Sequence, residues 1–232
     1  MTNKYVLLFC LFSIICFSGC ATKFSNVEEI PVVNIEHKEL PAGSLQNPII
    51  DCDISLAEAL KKYAPPEFKK RQRIIKVVYY SFDGNIHQGQ LVIDERLVAD
   101  IQEVFKVALE NKFPIASVIP ISHNRFFKDG RYNDDDQSML ANNTSAFNYR
   151  PVTGGKKLSK HSYGFAIDIN PIQNPYIKGK IVLPAGAVYA IHQPGTLTFD
   201  SCVVKTFIRL GWTWGGNWES LKDYQHFEKV LQ

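Results

Sequence analysis

Residues 74–93, IIKVVYYSFDGNIHQGQLVI, carry the clearest structural signal in this chain. Both ends of the stretch are rich in β-branched and aromatic residues, and Asp83-Gly84-Asn85 supplies turn residues between them. This pattern predicts an antiparallel hairpin with strands at 74–82 and 87–93. Residues 94–112 follow with apolar side chains at the spacing of an amphipathic helix. A hairpin followed by a helix is typical of an α+β domain.

The rest of the chain adds shorter elements around this hairpin. We predict helices at 56–60 and 197–210, strands at 115–121, 144–149 and 164–169, a loop at 129–143, and short apolar pieces at 212–214 and 226–230. Strands and helices are interspersed, and no repeat is present. The predicted fold is therefore a compact single α+β domain, with a mainly antiparallel sheet flanked by helices.

Composition excludes some classes of function. The chain has 232 residues, 45% of them hydrophobic and 21% charged, with a formal net charge of +3. These values are ordinary for a soluble domain that buries its own core. Because the lysines are scattered rather than clustered, we expect no nucleic-acid partner. We expect a monomer.

The amino-terminal residues predict export and lipidation. Lys4 precedes an apolar run from Tyr5 to Phe17, and Phe17-Ser18-Gly19-Cys20 follows. Such a leader is a secretory signal, too short for a stable membrane span. The cysteine after Ser-Gly resembles the lipobox of bacterial lipoproteins, which implies a diacylglycerol on Cys20.

These features set the expected domain boundaries and location. We predict a signal peptide at 1–19, a lipidated tether at 20–47 and a catalytic domain at 48–232. The protein would be anchored in the cell envelope on the periplasmic side, touching the membrane through its lipid alone. By the same resemblance, the residue after Cys20 permits the outer membrane.

Two cysteines, Cys52 and Cys202, remain after the predicted leader and lipidation site. In an oxidising periplasm they can form one disulfide, or remain two separate buried thiols. Neither has a second cysteine or histidine at zinc-ligand spacing.

Two segments carry the residue types of a catalytic metal site. Residues 159–168, SKHSYGFAID, place His161 seven residues before Asp168, and residues 223–228, DYQHFE, add Asp223 and His226. A catalytic zinc needs three protein ligands, an open position, and a nearby carboxylate that is free to take a proton. If Gly164 allows a tight turn, His161 and Asp168 can converge on one ion. On spacing alone, surface or capping roles remain open for these residues.

The sequences of both segments resemble the motifs of a known family. SKHSYGFAID resembles the S-x-H-x-x-G-x-A-x-D motif of the zinc D-Ala-D-Ala carboxypeptidases, which include the VanY and VanX enzymes. WGGNWES at 214–220, followed by DYQHFE, resembles the L-alanyl-D-glutamate peptidase branch known from phage endolysins. The resemblance spans residues 115–230. It implies one catalytic zinc on His161, Asp168 and His226, with Asp223 as the general base.

The resemblance also implies an arginine and a substrate cleft. Residues 144–150, TSAFNYR, resemble the family's S-G-Y-R strand, whose arginine steadies the developing oxyanion. Arg150 is the first candidate and Arg125 the second, although Ala-Phe-Asn departs from the motif and Arg150 can instead pair with an acidic loop. The candidate substrate contacts are Asn143, Ser145 and Trp214.

The resemblance implies hydrolysis of peptidoglycan stem peptides, either at D-Ala-D-Ala or between L-Ala and D-Glu. A different class remains open, because the amino-terminal domain of hedgehog proteins shares this fold and holds zinc without evident need for hydrolysis. The alternative is therefore a non-catalytic, zinc-containing lipoprotein that binds peptidoglycan.

Overall fold

The computed structural model describes residues 40–60, 64–127 and 135–231. Their strands are β1 (Ile49–Ile50), β2 (Gln72–Tyr80), β3 (Ile86–Asp94), β4 (Ser117–Val118), β5 (Asn143–Thr144), β6 (Ala166–Asp168), β7 (Tyr176–Lys178), β8 (Ile181–Leu183), β9 (Thr213–Trp214), β10 (Lys222–Asp223) and β11 (His226–Glu228). Their α-helices are α1 (Leu56–Ala59), α2 (Pro66–Lys69), α3 (Val98–Glu110), α4 (Asp135–Leu140) and α5 (Cys202–Arg209).

The predicted hairpin is confirmed. β2 and β3 pair antiparallel over their full length, from Gln72 opposite Asp94 to Tyr80 opposite Ile86. The short β1 adds to β3 in parallel, so the order of this sheet is β1-β3-β2. The helix at 56–60 is also confirmed, as α1, whose N-terminus is closed by a capping box of Ser55 and Glu58.

The predicted helix after the hairpin is confirmed as α3, which begins four residues later than its apolar pattern. The Asp94 side chain caps a 3-10 turn at Glu95–Leu97, and the α-helix follows it. The buried face of α3 packs into the main core together with residues from the hairpin, from α5 and from the strands near the site. Members of this core are Tyr79, Leu91, Ile101, Val104, Phe105, Ile167, Val204, Phe207, Trp214 and Phe227.

The α+β fold class is confirmed, but the strands form several small sheets. Besides the hairpin sheet there are β6-β11-β9, β10-β7-β8 and the parallel pair β4-β5. Strands of two or three residues are too short to build one broad sheet. The small sheet β6-β11-β9 is the one that positions the candidate site.

The prediction of a loop at 129–143 is wrong for the part that the structure describes. Asp135–Leu140 form α4, which buries Ser138 and Met139. Asp135 and Asp136 lie in its first turn, where the helix dipole favours negative charge. The same acidic residues that suggested a loop therefore favour the start of a helix.

Three other elements are shorter than predicted. Within 115–121 only Ser117–Val118 is strand, because the side chains of Asn143 and Asn170 bond the amides of Ile119 and Ala116 in place of a neighbouring strand. Within 144–149 the strand pairing ends early: Thr144 is the last residue of β5, and Ser145 forms a single β-bridge with Asp168. The helix predicted at 197–210 is α5, which begins only after its Ser201 cap.

The sharp turn before β6 depends on Gly164. Its φ is 69°, and a Cβ added there would lie 2.3 Å from Gln72 Oε1 and 2.7 Å from the Asp94 nitrogen. Both separations are shorter than real Cβ contacts, so glycine is required by conformation and by space.

Replacing Gly164 with alanine is expected to destabilise the domain. The left-handed backbone costs about 1–2 kcal/mol for an L-residue, and overpacking adds about 1–3 kcal/mol. Gly154→Ala is the matched control, because Gly154 has a similar φ of 72° with nothing within 4 Å. Urea unfolding measures both variants. Equal losses would show that the contact with Gln72 and Asp94 does not matter.

Most of the amino-terminal predictions fall outside the described residues. The predicted leader and Cys20 lie outside them. Within the predicted tether, the Gly43 carbonyl already accepts a hydrogen bond from the Ile86 amide. Cys52 and Cys202 are both free thiols, so the disulfide alternative is not formed. In the described part of the chain, no helix has the length and apolarity needed to cross a membrane.

Candidate active site

His161 lies on a short 3-10 turn, Lys160–Tyr163, that is capped at both ends. At the start of the turn, Ser159 Oγ accepts a hydrogen bond from the His161 amide. At its end, the Gly164 amide donates a hydrogen bond to the His161 carbonyl. The imidazole is 2% exposed. Its Nδ1 lies 2.5 Å from the Ala146 carbonyl oxygen. Because a carbonyl only accepts, Nδ1 carries the hydrogen and Nε2 keeps a free lone pair.

Asp168 and His226 are neighbours across two strands. In the antiparallel pair β6/β11, Asp168 lies opposite His226 and Ala166 lies opposite Glu228. Side chains two residues apart share a face, so all four point to one side of the sheet. The small Ala166 leaves room there. On the other side of Asp168, Ser145 holds its main chain through two hydrogen bonds of 2.9 and 3.1 Å.

The three predicted ligands therefore converge. His161, Asp168 and His226 each offer one ligand atom, and these atoms lie within 4.8 Å of one another. His161 Nε2 is 3.2 Å from His226 Nδ1 and 3.1 Å from Asp168 Oδ2, while His226 Nδ1 is 2.9 Å from Asp168 Oδ1. All three residues are buried.

The donor set fits a metal ion. His226 Nε2 faces Glu228 Oε2 at 3.2 Å, and a carboxylate only accepts, so this nitrogen carries the hydrogen. In their neutral forms, both imidazoles thus direct lone pairs at each other and toward a carboxylate. Three acceptors without a donor repel one another, and this repulsion is relieved either by a proton on His226 Nδ1 or by a metal cation bound to all three. Imidazole and carboxylate ligands suit zinc.

The electrostatics of the cluster favour a positive charge at its centre. Burial disfavours a charged His226, but hydrogen bonds to Asp168 and Glu228 raise its pKa to about 10. Burial also disfavours ionised Asp168, but His161 and His226 hold its pKa well below the usual range. The site thus keeps Asp168 as a carboxylate, the form that binds a metal.

Asp223 lies on β10, which pairs with β7, and its side chain faces the same cleft. Burial raises its pKa to about 6, with His226 and His161 lowering it and Asp168 raising it. A carboxyl group with this pKa changes protonation near neutral pH, as a general base must.

The Trp-Gly-Gly motif positions Asp223. Trp214 Nε1 donates to the Tyr224 carbonyl at 2.8 Å, so the indole holds the chain beside Asp223. A Cβ on Gly215 would lie 2.4 Å from the Asp223 carbonyl oxygen, and one on Gly216 would lie 2.3 Å from the Trp214 ring. Both glycines are therefore needed for close approach rather than for catalysis.

These side chains line one cleft of about 350 Å³. It includes the three cluster residues, Asp223 and Glu228, with the basic side chains Arg150, Lys157, Lys160 and Lys178 around them. Apolar and amide side chains complete it, among them Met139, Leu183, Trp218, Leu221 and Gln225. The cleft offers space beside the cluster for a peptide.

The two candidate arginines are placed differently. Arg150 lines the cleft, but its Nη2 forms an ion pair of 2.7 Å with Asp135 Oδ2. Pairing with an acidic segment, the alternative considered for Arg150, is thus observed together with a place in the cleft. Arg125 is exposed on the 3-10 turn Asn124–Phe126 and does not line the cleft.

The candidate substrate contacts do not line the cleft. Asn143 is 1% exposed, and its side chain forms hydrogen bonds with Ser117, Ser138 and the main chain of Ile119. Ser145 is buried beside the main chain of Asp168, and Trp214 is buried in the core. The cleft instead contains Gln225, Trp218 and Glu228, which the motifs included without indicating a role.

The pKa of Asp223 predicts the acidic side of the pH profile. Because only the carboxylate accepts a proton, kcat/KM is expected to fall about tenfold per pH unit below about 6. Measurement from pH 4.5 to 8 tests this, with metal content determined at each pH to separate protonation of Asp223 from metal loss. A flat profile with metal still bound would contradict the assignment.

One comparison with known proteins identifies this region. Residues 153–229 match a family model described as D-alanyl-D-alanine carboxypeptidase. No significant match was found among curated proteins or among solved structures. The matched segment contains the three cluster residues and Asp223. The resemblance to the D-Ala-D-Ala carboxypeptidase family, predicted from the sequence motifs, is thereby confirmed over residues 153–229, and the match supports a carboxypeptidase-like peptidase.

Proposed function

We propose that this chain is a zinc-dependent peptidase that hydrolyses the stem peptides of peptidoglycan. The observation that carries the proposal is the convergence of His161, Asp168 and His226 beside Asp223 in one cleft. This arrangement falls within the segment that matches the peptidase family. The ion itself and the substrate are the proposed parts.

Each residue has a separate role in this proposal. The two histidines and Asp168 would hold the zinc, which supplies Lewis-acid chemistry by lowering the pKa of water and polarising a carbonyl. Asp223 takes the proton of the attacking water and later passes it to the leaving amine. Glu228 accepts the His226 Nε2 hydrogen and so presents Nδ1 to the cluster. Arg150 contributes positive charge at the wall of the cleft.

Two peptide bonds are candidates for cleavage. By resemblance, the D-Ala-D-Ala bond fits the carboxypeptidases, and the L-Ala-D-Glu bond fits the endolysin-like branch. Aspartate rather than glutamate at 223 and the Trp-Gly-Gly motif favour the second branch. The first glycine of this motif, Gly215, packs directly on Asp223, since a Cβ there would lie 2.4 Å from the Asp223 carbonyl oxygen.

Turnover of purified muropeptides tests the proposal. The full chain is incubated with them as prepared, after removal of metal by a chelator, and after zinc is restored. We expect cleavage that is lost with chelation and regained with zinc, and mass spectrometry of the products identifies the bond. Binding of muropeptides without cleavage under all conditions would favour the non-catalytic wall-binding lipoprotein instead.

We also propose that Cys20 carries the lipid that anchors the protein in the cell envelope, with the domain on the periplasmic side. The support is the Phe-Ser-Gly-Cys sequence after the apolar run. Cells fed labelled palmitate are expected to label the wild type but not Cys20→Ser. Equal labelling of both proteins would contradict the anchor and leave the peptidase proposal untouched.

A further inference from the structure

Three polar atoms in the cleft are buried without a hydrogen-bond partner among the residues that the structure describes. They are Asp223 Oδ1, Gln225 Oε1 and Arg150 Nε. Buried polar groups in folded proteins are almost always paired, so an unpaired group at a cleft wall points to a ligand. Asp223 has the role of the base. The other two atoms, an acceptor and a donor, remain to be explained.

Gln225 is fixed in one orientation. Its side chain lines the cleft although the residue is only 3% exposed. Its amide nitrogen lies 3.7 Å from Met139 Sδ, which accepts its hydrogen bond. The amide oxygen is therefore left to accept a hydrogen bond from another group.

Arg150 is also held in place, and its Nε has no partner among the described residues. Its Nη2 pairs with Asp135 at 2.7 Å, and its Nη1 donates to the Pro151 carbonyl at 3.2 Å. Asp135 and Met139 are four residues apart on α4, so they lie on one face of that helix. Arg150 contacts the first and Gln225 contacts the second. The side chains of Arg150 and Gln225 thus both contact this face of α4.

We propose that Arg150 and Gln225 form a subsite for the main chain of one extended substrate residue, whose N–H belongs to a peptide bond other than the one that is cut. The Gln225 oxygen accepts the N–H of that residue, and Arg150 Nε donates to its carbonyl oxygen, because these two groups of an extended residue point to the same side. The inference rests on the proposed function and narrows it. The substrate must be an extended peptide, with at least one further peptide bond, and a free D-Ala-D-Ala dipeptide is excluded because it contains only the bond that is cut.

A series of ester-substituted stem peptides tests the subsite. In each member, one non-scissile N–H is replaced by an ester oxygen, which removes a donor at nearly constant shape. For the wild type, the ester at one position in the series is expected to lower kcat/KM about tenfold or more, because that position has lost the N–H that Gln225 accepts. Gln225→Met, which has similar volume and no amide, is expected to lose about tenfold on the parent peptide and to show no further loss at that position.

Controls separate the subsite from the metal centre. Gln193→Met, the same substitution at an exposed position that does not line the cleft, is expected to retain the discrimination against the ester. Metal affinity and thermal unfolding are measured for each variant, because Gln225 adjoins His226. If Gln225→Met does not fold, the wild-type series still decides, since it needs no variant.

The outcomes are distinct. The subsite proposal is overturned if every ester lowers kcat/KM of the wild type equally, or if the wild type cleaves the dipeptide as fast as a stem peptide. In both cases the proposed function stands. A discrimination that persists in Gln225→Met also overturns the subsite proposal. If the wild type cleaves none of the peptides, the proposed function fails and the subsite fails with it.

Discussion

The variant His226→Ala is expected to lose metal binding and hydrolysis together. His226 supplies one of three buried ligand atoms and also holds Asp168 at 2.9 Å. Removal of an outer partner of a ligand typically lowers metal affinity by about 10–100-fold, and removal of a ligand costs more. We therefore expect affinity to fall by more than about 100-fold, with no measurable turnover at zinc concentrations that saturate the wild type.

Chelator competition measures the affinity, and cleavage of muropeptides measures the activity. His192→Ala is the matched control, because His192 is exposed and does not line the cleft. This variant should bind metal and cleave peptide as the wild type does. Retained hydrolysis in His226→Ala would reject the proposed mechanism.

The variant Asp223→Asn is expected to separate catalysis from metal binding. Asparagine has nearly the same shape but does not accept a proton at neutral pH, so kcat should fall by roughly 10²–10⁴-fold. The three ligand side chains are unchanged, so metal affinity should remain close to that of the wild type. Single-turnover cleavage and chelator competition on the same sample test both halves.

Asp200→Asn is the control for this substitution, since the side chain of Asp200 is 89% exposed and pairs only with Lys205 among the described residues. If kcat of Asp223→Asn falls by less than about tenfold, the general base is a group other than Asp223. Glu228 is another half-buried carboxylate of the cleft, but its bond to His226 lowers its pKa and occupies one of its oxygens.

Local sequence patterns were sufficient to predict the hairpin and α3. Nine residue pairs join β2 and β3, and α3 spans thirteen residues, so periodicity had room to appear. β7, β8 and β10 are strands of two or three residues and were missed, because so short a run has no period. α4 was missed because its acidic first turn also resembles a loop.

His161 and Asp168 lie together because their spacing reflects local geometry, whereas His226 was predicted from the motif resemblance and reaches them through the pairing of β11 with β6. His161 is held by a capped turn that Gly164 ends, and Asp168 follows on the next strand. The predicted substrate contacts do not reach the cleft, because their surroundings depend on distant residues. Asn143, for example, bonds the main chain of Ile119, 24 residues away, and nothing near Asn143 in the sequence indicates this.

The partner of Arg150 was likewise beyond local patterns. Asp135 lies fifteen residues earlier, and Asn148 donates to the same carboxylate at 3.1 Å. Both contacts require α4 to be a helix, so an error in one element carried over to the site. Gln225 was part of a recognised motif, but only the structure shows that its oxygen is unpaired.

The two imidazoles of the cluster are oriented by acceptors of different kinds. The acceptor for His161 is the main-chain carbonyl of Ala146, which every amino acid supplies at that position. The acceptor for His226 is the side chain of Glu228, which one codon change removes. Natural variation therefore has one direct route for tuning how tightly this protein would hold the proposed zinc without altering a ligand. That route is substitution at position 228, which would change the metal affinity by about 10–100-fold.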